Sequence, residues 1–259
     1  MIGIDLSDRT VLVTGGLGAI AGSVLRRLSE AGAFLVVTDL ADQHEGAAAC
    51  ARLVAQPDRH LYRRMDVTDQ DAVSRAFAEI LRVRPVVDIA LGLAGAGCGI
   101  HPFASTTSGE FERIFNLNYF GQVHLARTVL QHWVASRTPG HLVFTSSLVA
   151  TLPWPDFAAY NSAKAAVEML GKTLALEYAA HGIRINAVAP GHVATGASMA
   201  IYEADAGYRS MVQRVIPMQT LVPPDAVADA FVWLCSPLAS AINGQVIKVD
   251  FGESLPKVG

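Results

Sequence analysis

Charge is scarce in this chain. Only 17% of its 259 residues are Asp, Glu, Lys or Arg, and the net charge is −3. No basic stripe runs through it, and Arg26-Arg27 and Arg63-Arg64 are isolated pairs that read as solvated faces. Nucleic acid is therefore not an expected partner. Cysteine is scarcer still. Cys50, Cys98 and Cys235 form an odd, widely spaced set with neither zinc-site spacing nor a redox C-x-x-C. Reduced thiols in a cytoplasmic protein, and no metal, are the expectation. Cys98 follows a Gly-rich segment, where a buried small hydrophobe is a simpler reading than a thiol lining a site. No apolar run is long enough to span a bilayer. The first eight residues carry acids and no basic stretch. No repeat, low-complexity tract or linker divides the chain. With 51% hydrophobic residues it can bury a generous core, so one domain over 1–259 is expected.

What is present alternates. Short β-branched runs at 10–14, 34–39, 61–65, 86–91, 141–145, 183–188 and 245–250 read as strands. Longer amphipathic stretches lie between them: a helix from the turn at 15–22 to about 32, then 43–56, 69–82, 108–136, 157–181 and 224–236. Apolar strands separated by helices predict an α/β protein with a doubly wound parallel sheet, Rossmann-like, covered on both faces. The stretch 191–223 departs from this rhythm. It is flanked by prolines and holds Met199, Ile201, Tyr202, Tyr208 and Met211. It reads as a flap whose apolar face closes over a site, the alternative being a surface helical excursion.

Thr14-Gly15-Gly16-Leu17-Gly18-Ala19-Ile20-Ala21-Gly22 lies between the first strand and the first helix. Glycines there let the backbone turn sharply and approach a pyrophosphate, which sits on free N–H groups at the helix start. Asp39 ends the second strand, twenty-four residues past Gly15. A carboxylate at that place accepts from ribose hydroxyls and repels a 2′-phosphate, which favours NAD over NADP. No Lys or Arg stands at Leu17, Gly18, Leu40 or Ala41 to welcome that phosphate. Asp66-Val67, after the third strand, is placed to touch an adenine edge, though the run also resembles a helix cap.

Tyr160 and Lys164 are four residues apart on one predicted helix, and Ser147 lies thirteen residues before the tyrosine. Positions i and i+4 share a helix face. An ammonium beside a phenol stabilises the phenolate, drawing its pKa down from the free value of about 10. Such a tyrosine can give a proton to a carbonyl oxygen or take one from an alcohol, and a serine hydroxyl can hold that same oxygen. Two common residues at helical spacing also occur by chance, as a half-buried Tyr beside a solvated Lys.

Taken together, the cradle, Asp39, Thr145-Ser146-Ser147, Tyr160-x-x-x-Lys164, Asn186 to Thr195 and Val249-Asp250-Phe251-Gly252 resemble the short-chain dehydrogenase/reductase family, from about Ser7 to Gly252. The resemblance implies a catalytic tetrad of Asn118, Ser147, Tyr160 and Lys164. Asn116 competes with Asn118, and spacing to Gly121 favours the latter. It implies cofactor contacts at Gly15, Leu17, Gly18 and Ile20 in the turn, at Asp39 and Leu40, and at Asp66 and Val67. Further contacts fall on Leu93, Ala94 and Gly95, on Tyr160 and Lys164, and on Pro190, Val193 and Thr195. The backbone of Val193 and the hydroxyl of Thr195 would hold the nicotinamide carboxamide. The resemblance also implies homotetramers or homodimers built partly from the two long helices.

Two departures stand out. In T-G-x-x-x-G-x-G, Ala19 and Ala21 occupy the second and third glycine positions, and the run also fits the T-G-x-x-G-x-x-A of a longer, epimerase-like branch. Leu93 stands where N-N-A-G has an asparagine whose amide ties neighbouring strands. That loss costs about 1–3 kcal/mol if a buried partner is left unpaired, and little if both sides turn apolar. The expected activity is NAD-dependent hydride transfer on a secondary alcohol or ketone, in the oxidising direction. The alternatives are an NADPH-dependent ketone reductase and a non-catalytic NAD-binding regulator. The expected partner is a small-molecule alcohol or ketone. Residues 97–101, Leu148, 153–157, His192 and the flap are expected to line its pocket. Their apolar character points to a moderately apolar alcohol or a cyclic diol. His101 and His192 are polar handles there, with a surface position the simpler reading for both.

Overall fold

The β-branched runs form strands because their side chains are buried on both faces of one sheet. In Val11, Leu12 and Val13, and in Leu35, Val36 and Val37, consecutive residues are fully covered, as a parallel sheet between two helical layers requires. The computed structural model describes residues 3–97 and 99–256; Cys98 lies outside the described residues. The strands are β1 (Thr10–Thr14), β2 (Phe34–Asp39), β3 (His60–Arg64), β4 (Ile89–Gly92), β5 (Gly140–Thr145), β6 (Ile183–Pro190) and β7 (Val246–Val249). They pair in the order β3-β2-β1-β4-β5-β6-β7, all parallel. This is the doubly wound sheet expected. The winding reverses between β1 and β4, and such a switch point opens a crevice at the carboxyl ends of the strands.

The helices are α1 (Ala21–Glu30), α2 (Gln43–Leu53), α3 (Gln70–Val83), α4 (Ser108–Phe115), α5 (Gly121–Ser136), α6 (Ala158–Tyr178), α7 (Gly196–Ala204), α8 (Ala206–Val215) and α9 (Pro224–Cys235). On one face of the sheet, Val24, Leu25 and Leu28 of α1 pack with Val227, Phe231 and Leu234 of α9. On the other face, Phe77 and Ile80 of α3, Leu125 and Val129 of α5, and Val167 of α6 make the second core. Trp133 is 1% exposed and donates its indole N–H to the Val87 carbonyl at 2.7 Å, so its burial leaves no polar atom stranded. A polar tie sits between β5 and β6, where buried His141 lies against Arg184 and Asn186. Burial, then the Arg184 charge, pushes the imidazole down to about 3, which keeps it neutral. Buried Cys50 and Cys235 are free thiols.

Several element boundaries differ from the sequence expectation, by one to three residues at most ends. The fourth strand begins at Ile89, not at 86. Val86 is exposed, and Asp88 turns its carboxylate back to accept from the Thr10 N–H at 2.8 Å. Asp88 thus caps the start of β1, and the apolar run before it is loop. The second helix stops at Leu53 rather than 56. The stretch 108–136 is not one regular helix. Residues Asn116–Phe120 form a π-helical turn between α4 and α5. The Gly121 N–H reaches the Asn116 carbonyl, five residues back.

Residues 191–223 carry α7 and α8. Val212, Ile216 and Leu221 are buried together against Met199, Tyr202, Tyr208 and Met211. Most of the apolar side chains that marked this stretch are therefore spent on a small core of its own. Among the described residues, no helix is long and apolar enough to cross a membrane.

Candidate active site

A crevice of about 720 Å³ opens at the switch point. Gly15, Leu17 and Gly18 line it from the first turn, Asp39 and Leu40 from β2, Asp66 and Val67 from the segment after β3, and Leu93, Ala94 and Gly95 from the segment after β4. These are ten of the expected cofactor contacts. The other six, Ile20, Tyr160, Lys164, Pro190, Val193 and Thr195, are not among its lining residues. Asn116 and Arg113 complete the wall on the α4 side.

The turn is shaped by close approach. Gly15 has φ +64°, and a Cβ there would stand 2.5 Å from the Ala94 Cα. Only glycine satisfies both conditions. At Gly16 a Cβ would meet the Val37 side chain at 2.2 Å. Helix α1 starts at Ala21 with no side-chain cap, so its first N–H groups have no capping side chain. Asp39 closes the other side of the turn. Its carboxylate accepts from the Leu17 N–H at 2.9 Å and from the Leu40 N–H at 2.7 Å. Asp66 accepts from the Thr68 N–H and hydroxyl, while Asp69 caps α3.

The second half of the site lies at the ends of β5 and α6. Lys164 is 2% exposed and donates to the Thr145 carbonyl at 2.9 Å. Its Nζ is 5.5 Å from the centre of the Tyr160 ring. Burial pushes the ammonium down from its ordinary 10.5 to about 8. The two serines after β5 differ. The Ser146 hydroxyl is buried and donates to the Glu168 carboxylate at 2.8 Å. Among the described residues, the hydroxyl of half-buried Ser147 makes one long 3.4 Å contact, accepting from the Val149 N–H, which leaves it capacity to spare.

Asn118 and Asn116 separate in the same way. Asn118 is fully buried in the π-helical turn, and its amide donates to the Ala96 and Ile114 carbonyls at 3.0 and 3.1 Å. A Cβ on Gly95 would stand 2.8 Å from the Asn118 amide oxygen and 3.4 Å from Lys164 Nζ. Asn118, Gly95 and Lys164 are thus neighbours, whereas Asn116 is exposed and faces the crevice. On the last loop, Thr195 caps α7. Its hydroxyl accepts from the Ser198 N–H and shares a 3.1 Å contact with the Ser198 hydroxyl, which also donates to the Val193 carbonyl. Ser198 was not read from the sequence. It ties together the two residues expected to hold a carboxamide.

A family model described as enoyl-(acyl carrier protein) reductase matches residues 16–254. The 3β-hydroxysteroid dehydrogenase 1 of Eggerthella lenta is 34% identical over 252 residues, covering 97% of this chain and 95% of its own. The cis-4-hydroxycyclohexanecarboxylate dehydrogenase of Sinomonas cyclohexanicum is 31% identical, covering 97% and 98%. Among solved structures, ElxO with NADP bound superposes with a TM-score of 0.88 at 26% identity, over 95% of this chain and 98% of that one. The chain belongs to the short-chain dehydrogenase/reductase family.

Members of this family bind a nicotinamide cofactor. The residues present fit one: the glycine cradle that a Cβ would fill, the uncapped α1 terminus and the carboxylate of Asp39 are complementary to a dinucleotide. The departures from the family pattern have local explanations. Ala19 is exposed, so its extra methyl meets solvent, and Ala21 packs into the buried start of α1. At the strand-four motif, Leu93 joins the core as a partly buried side chain. The missing asparagine amide is replaced from elsewhere. Buried Gln122 of α5 donates to the Gly92 and Ala94 carbonyls at 3.0 and 3.3 Å. Gly92 makes room for it, since a Cβ there would lie 1.8 Å from the Gln122 amide oxygen. The only sequence signal was a glutamine on the buried face of α5.

The burial of Lys164 makes a sign-definite prediction for the free protein. Below pH 8 the lysine is charged in both states, and folding carries the full desolvation cost. Between pH 8 and 10.5 the unfolded chain holds a proton that the folded one does not. Stability from this group therefore rises with pH, by up to about 1.4 kcal/mol per pH unit. The Lys164→Met variant lacks this term. Chemical denaturation across this window should show the parent gaining on the variant as pH rises. Buried Cys50 and Cys235, pushed up to about 11 and about 12, act in both proteins and cancel in the difference. A difference that stays flat means that the ammonium is not desolvated in the folded protein.

Proposed function

We propose that this protein oxidises a secondary alcohol to a ketone with NAD, acting on a moderately apolar or cyclic substrate. The observation that carries this reading is the buried Lys164 ammonium facing the Tyr160 ring and held at Thr145, two residues before Ser147, with Gly95 of the crevice close to it. A nicotinamide cofactor, held by the crevice residues, would supply the hydride-transfer chemistry, while the protein supplies geometry and charge. Ser147 donates to or accepts from the substrate oxygen and orients it. Tyr160 takes the hydroxyl proton as general base. The Lys164 ammonium, held at Thr145 and facing the tyrosine ring, favours the phenolate by its charge. Asn118 fixes the backbone of Ala96 beside Lys164 and leads protons away from it through water. Gly15 and the α1 terminus hold the diphosphate, and the Val193–Thr195 loop holds the carboxamide. The cyclic or steroid alcohols named for two relatives support this substrate class. A cytoplasmic location belongs to the same proposal.

Tyr160→Phe removes the proton acceptor and little else. Turnover of any accepted alcohol should fall by roughly a hundred- to ten-thousandfold. NADH affinity, read by fluorescence titration, should stay within about threefold of the parent. Retained turnover removes Tyr160 from the chemistry.

The NAD preference rests on Asp39. A second reading, use of NADP, draws on the NADP-bound neighbour and on Arg64, which pairs with Asp39 across β2 and β3. A carboxylate a few ångströms from a 2′-phosphate costs several kcal/mol even at an effective dielectric constant of about 20. Asp39→Ala should raise the NADP-to-NAD ratio of kcat/KM at least tenfold, on the order of one such repulsion partly screened. A parent that already prefers NADP, or a ratio that does not move, defeats the assignment.

The homo-oligomer is proposed from α5 and α6. Met169 and Leu176, seven residues apart on α6, are 63% and 84% exposed, and Phe120 at the start of α5 is 43% exposed. Apolar side chains so placed favour a covering helix pair. Light scattering should report a dimer or tetramer, and Leu176→Lys with Met169→Lys should lower the mass. A monomeric parent removes this part of the proposal.

A further inference from the structure

His192 follows the last residues of β6, and its surroundings are not those of a surface histidine. Its Nδ1 lies 2.7 Å from a carboxylate oxygen of Glu253, whose side chain is 1% exposed. The other Glu253 oxygen accepts from the His192 backbone N–H at 3.3 Å. Its carbonyl accepts from the Val222 N–H at 2.8 Å. Backbone and ring are therefore both fixed. A carboxylate accepts, so Nδ1 carries the proton in this pair and Nε2 is the polar atom left over. Among the described residues Nε2 has no hydrogen-bond partner.

Glu253 is itself built in. Asp250 accepts from the Gly252 and Ser254 N–H groups at 3.0 Å each, and Phe251 and Gly252 both take positive φ. This tight turn after β7 presents Glu253 inward. Gly191 admits it, since a Cβ there would stand 3.0 Å from the carboxylate. Burying a carboxylate is expensive unless its hydrogen bonds are replaced. Here the bonds shown go to one residue, and orienting an imidazole through its second nitrogen is an established use of such a pair.

The ring also has a defined setting. Trp154 meets it edge-on at 5.0 Å between centroids, and Tyr208 of α8 at 6.5 Å. Trp154 belongs to the segment that follows Ser147, and its carbonyl accepts from Asn161, the neighbour of Tyr160, at 2.9 Å. His192 thus joins the segment after Ser147, the helical stretch 191–223 and the C-terminal turn. An apolar wall with one oriented nitrogen suits a hydrocarbon body that carries a polar group away from the reacting carbon.

We infer that His192, oriented by Glu253, is a specificity residue that binds a second oxygen of the substrate, so that the preferred alcohols are ring compounds bearing another hydroxyl or a carboxylate. This rests on the oxidoreductase reading above. Four probes test it with NAD: cyclohexanol, cis-1,2-cyclohexanediol, cis-1,4-cyclohexanediol and cis-4-hydroxycyclohexanecarboxylate. The parent should favour at least one two-oxygen probe over cyclohexanol by tenfold or more in kcat/KM. Which of the three is favoured tells hydroxyl from carboxylate recognition. His192→Phe keeps an aromatic ring against Trp154 and should lower that preference about tenfold, as loss of one hydrogen bond does. The change should come through KM rather than kcat. Glu253→Gln still accepts from Nδ1 and should keep most of the preference, whereas Glu253→Leu should lose it. NADH binding reports that each variant is folded. No preference in the parent, or an equal loss on cyclohexanol in His192→Phe, overturns the specificity role and leaves the oxidoreductase reading standing. A parent that binds NADH and oxidises none of the four probes overturns both.

Discussion

The arrangement at the active site depends on keeping one ammonium group out of water. Lys164 is nearly inaccessible, and the hydrogen bond shown for it goes to a backbone carbonyl at the end of β5. Such a charge is costly to bury, and its lowered pKa measures the cost. The surrounding residues look arbitrary until that cost is considered. Gly95 must lack a side chain because the ammonium and the Asn118 amide fill the space. Asn118 sits in a π-helical turn, and that geometry inserts one extra residue where an amide can reach back to Ala96. A desolvated charge of this kind is a cost to stability, and such costs cluster where a site needs a charge in a dry place.

The other half of the site depends on a close contact at the reversal of winding. Gly15 of the first turn lies against Ala94 after β4, closer than any side chain permits. The chain segments that end β1 and β4 therefore meet at backbone distance. Gln122 supports the same point from α5 by holding the Gly92 and Ala94 carbonyls. Among the described residues its own buried amide oxygen has no hydrogen-bond partner, so this support leaves an acceptor unsatisfied there. In place of an asparagine on the strand, this chain has a glutamine on the helix and a glycine to admit it.

Most of the fold was legible because its signals are local. β-branched runs, the strand-turn-helix glycines and the acid closing β2 announce themselves within a few residues. The proposed catalytic residues were read from equally local signals, since Tyr160 and Lys164 share a helix turn and Ser147 follows a strand. What was not legible is what depends on distant partners. The start of β4 is decided by Asp88 turning to cap β1. The break in the long helix has no composition of its own. The pairing of Gln122 with Gly92 spans thirty residues, and that of His192 with Glu253 spans sixty-one. Neither member of these pairs is unusual until the fold brings the other beside it.

This division has a physical consequence for how substrates are told apart. The motifs that mark the family serve the cofactor and the proton, and both are the same whatever alcohol is bound. On the proposed reading, the residues that face the substrate body would lie on the segment after Ser147, on the stretch 191–223 and on the turn after β7. That stretch keeps a small core of Val212, Ile216 and Leu221, against which Tyr208, Met211 and Phe251 of the C-terminal turn all pack. Phe251 precedes Glu253 by two residues, so the turn that orients His192 also packs against the helices around it. On the proposed reading selectivity can drift while the chemistry stays fixed, because the contacts that hold His192 run to Glu253, Trp154 and Tyr208, and those that hold Lys164 run to Thr145 and the Tyr160 ring.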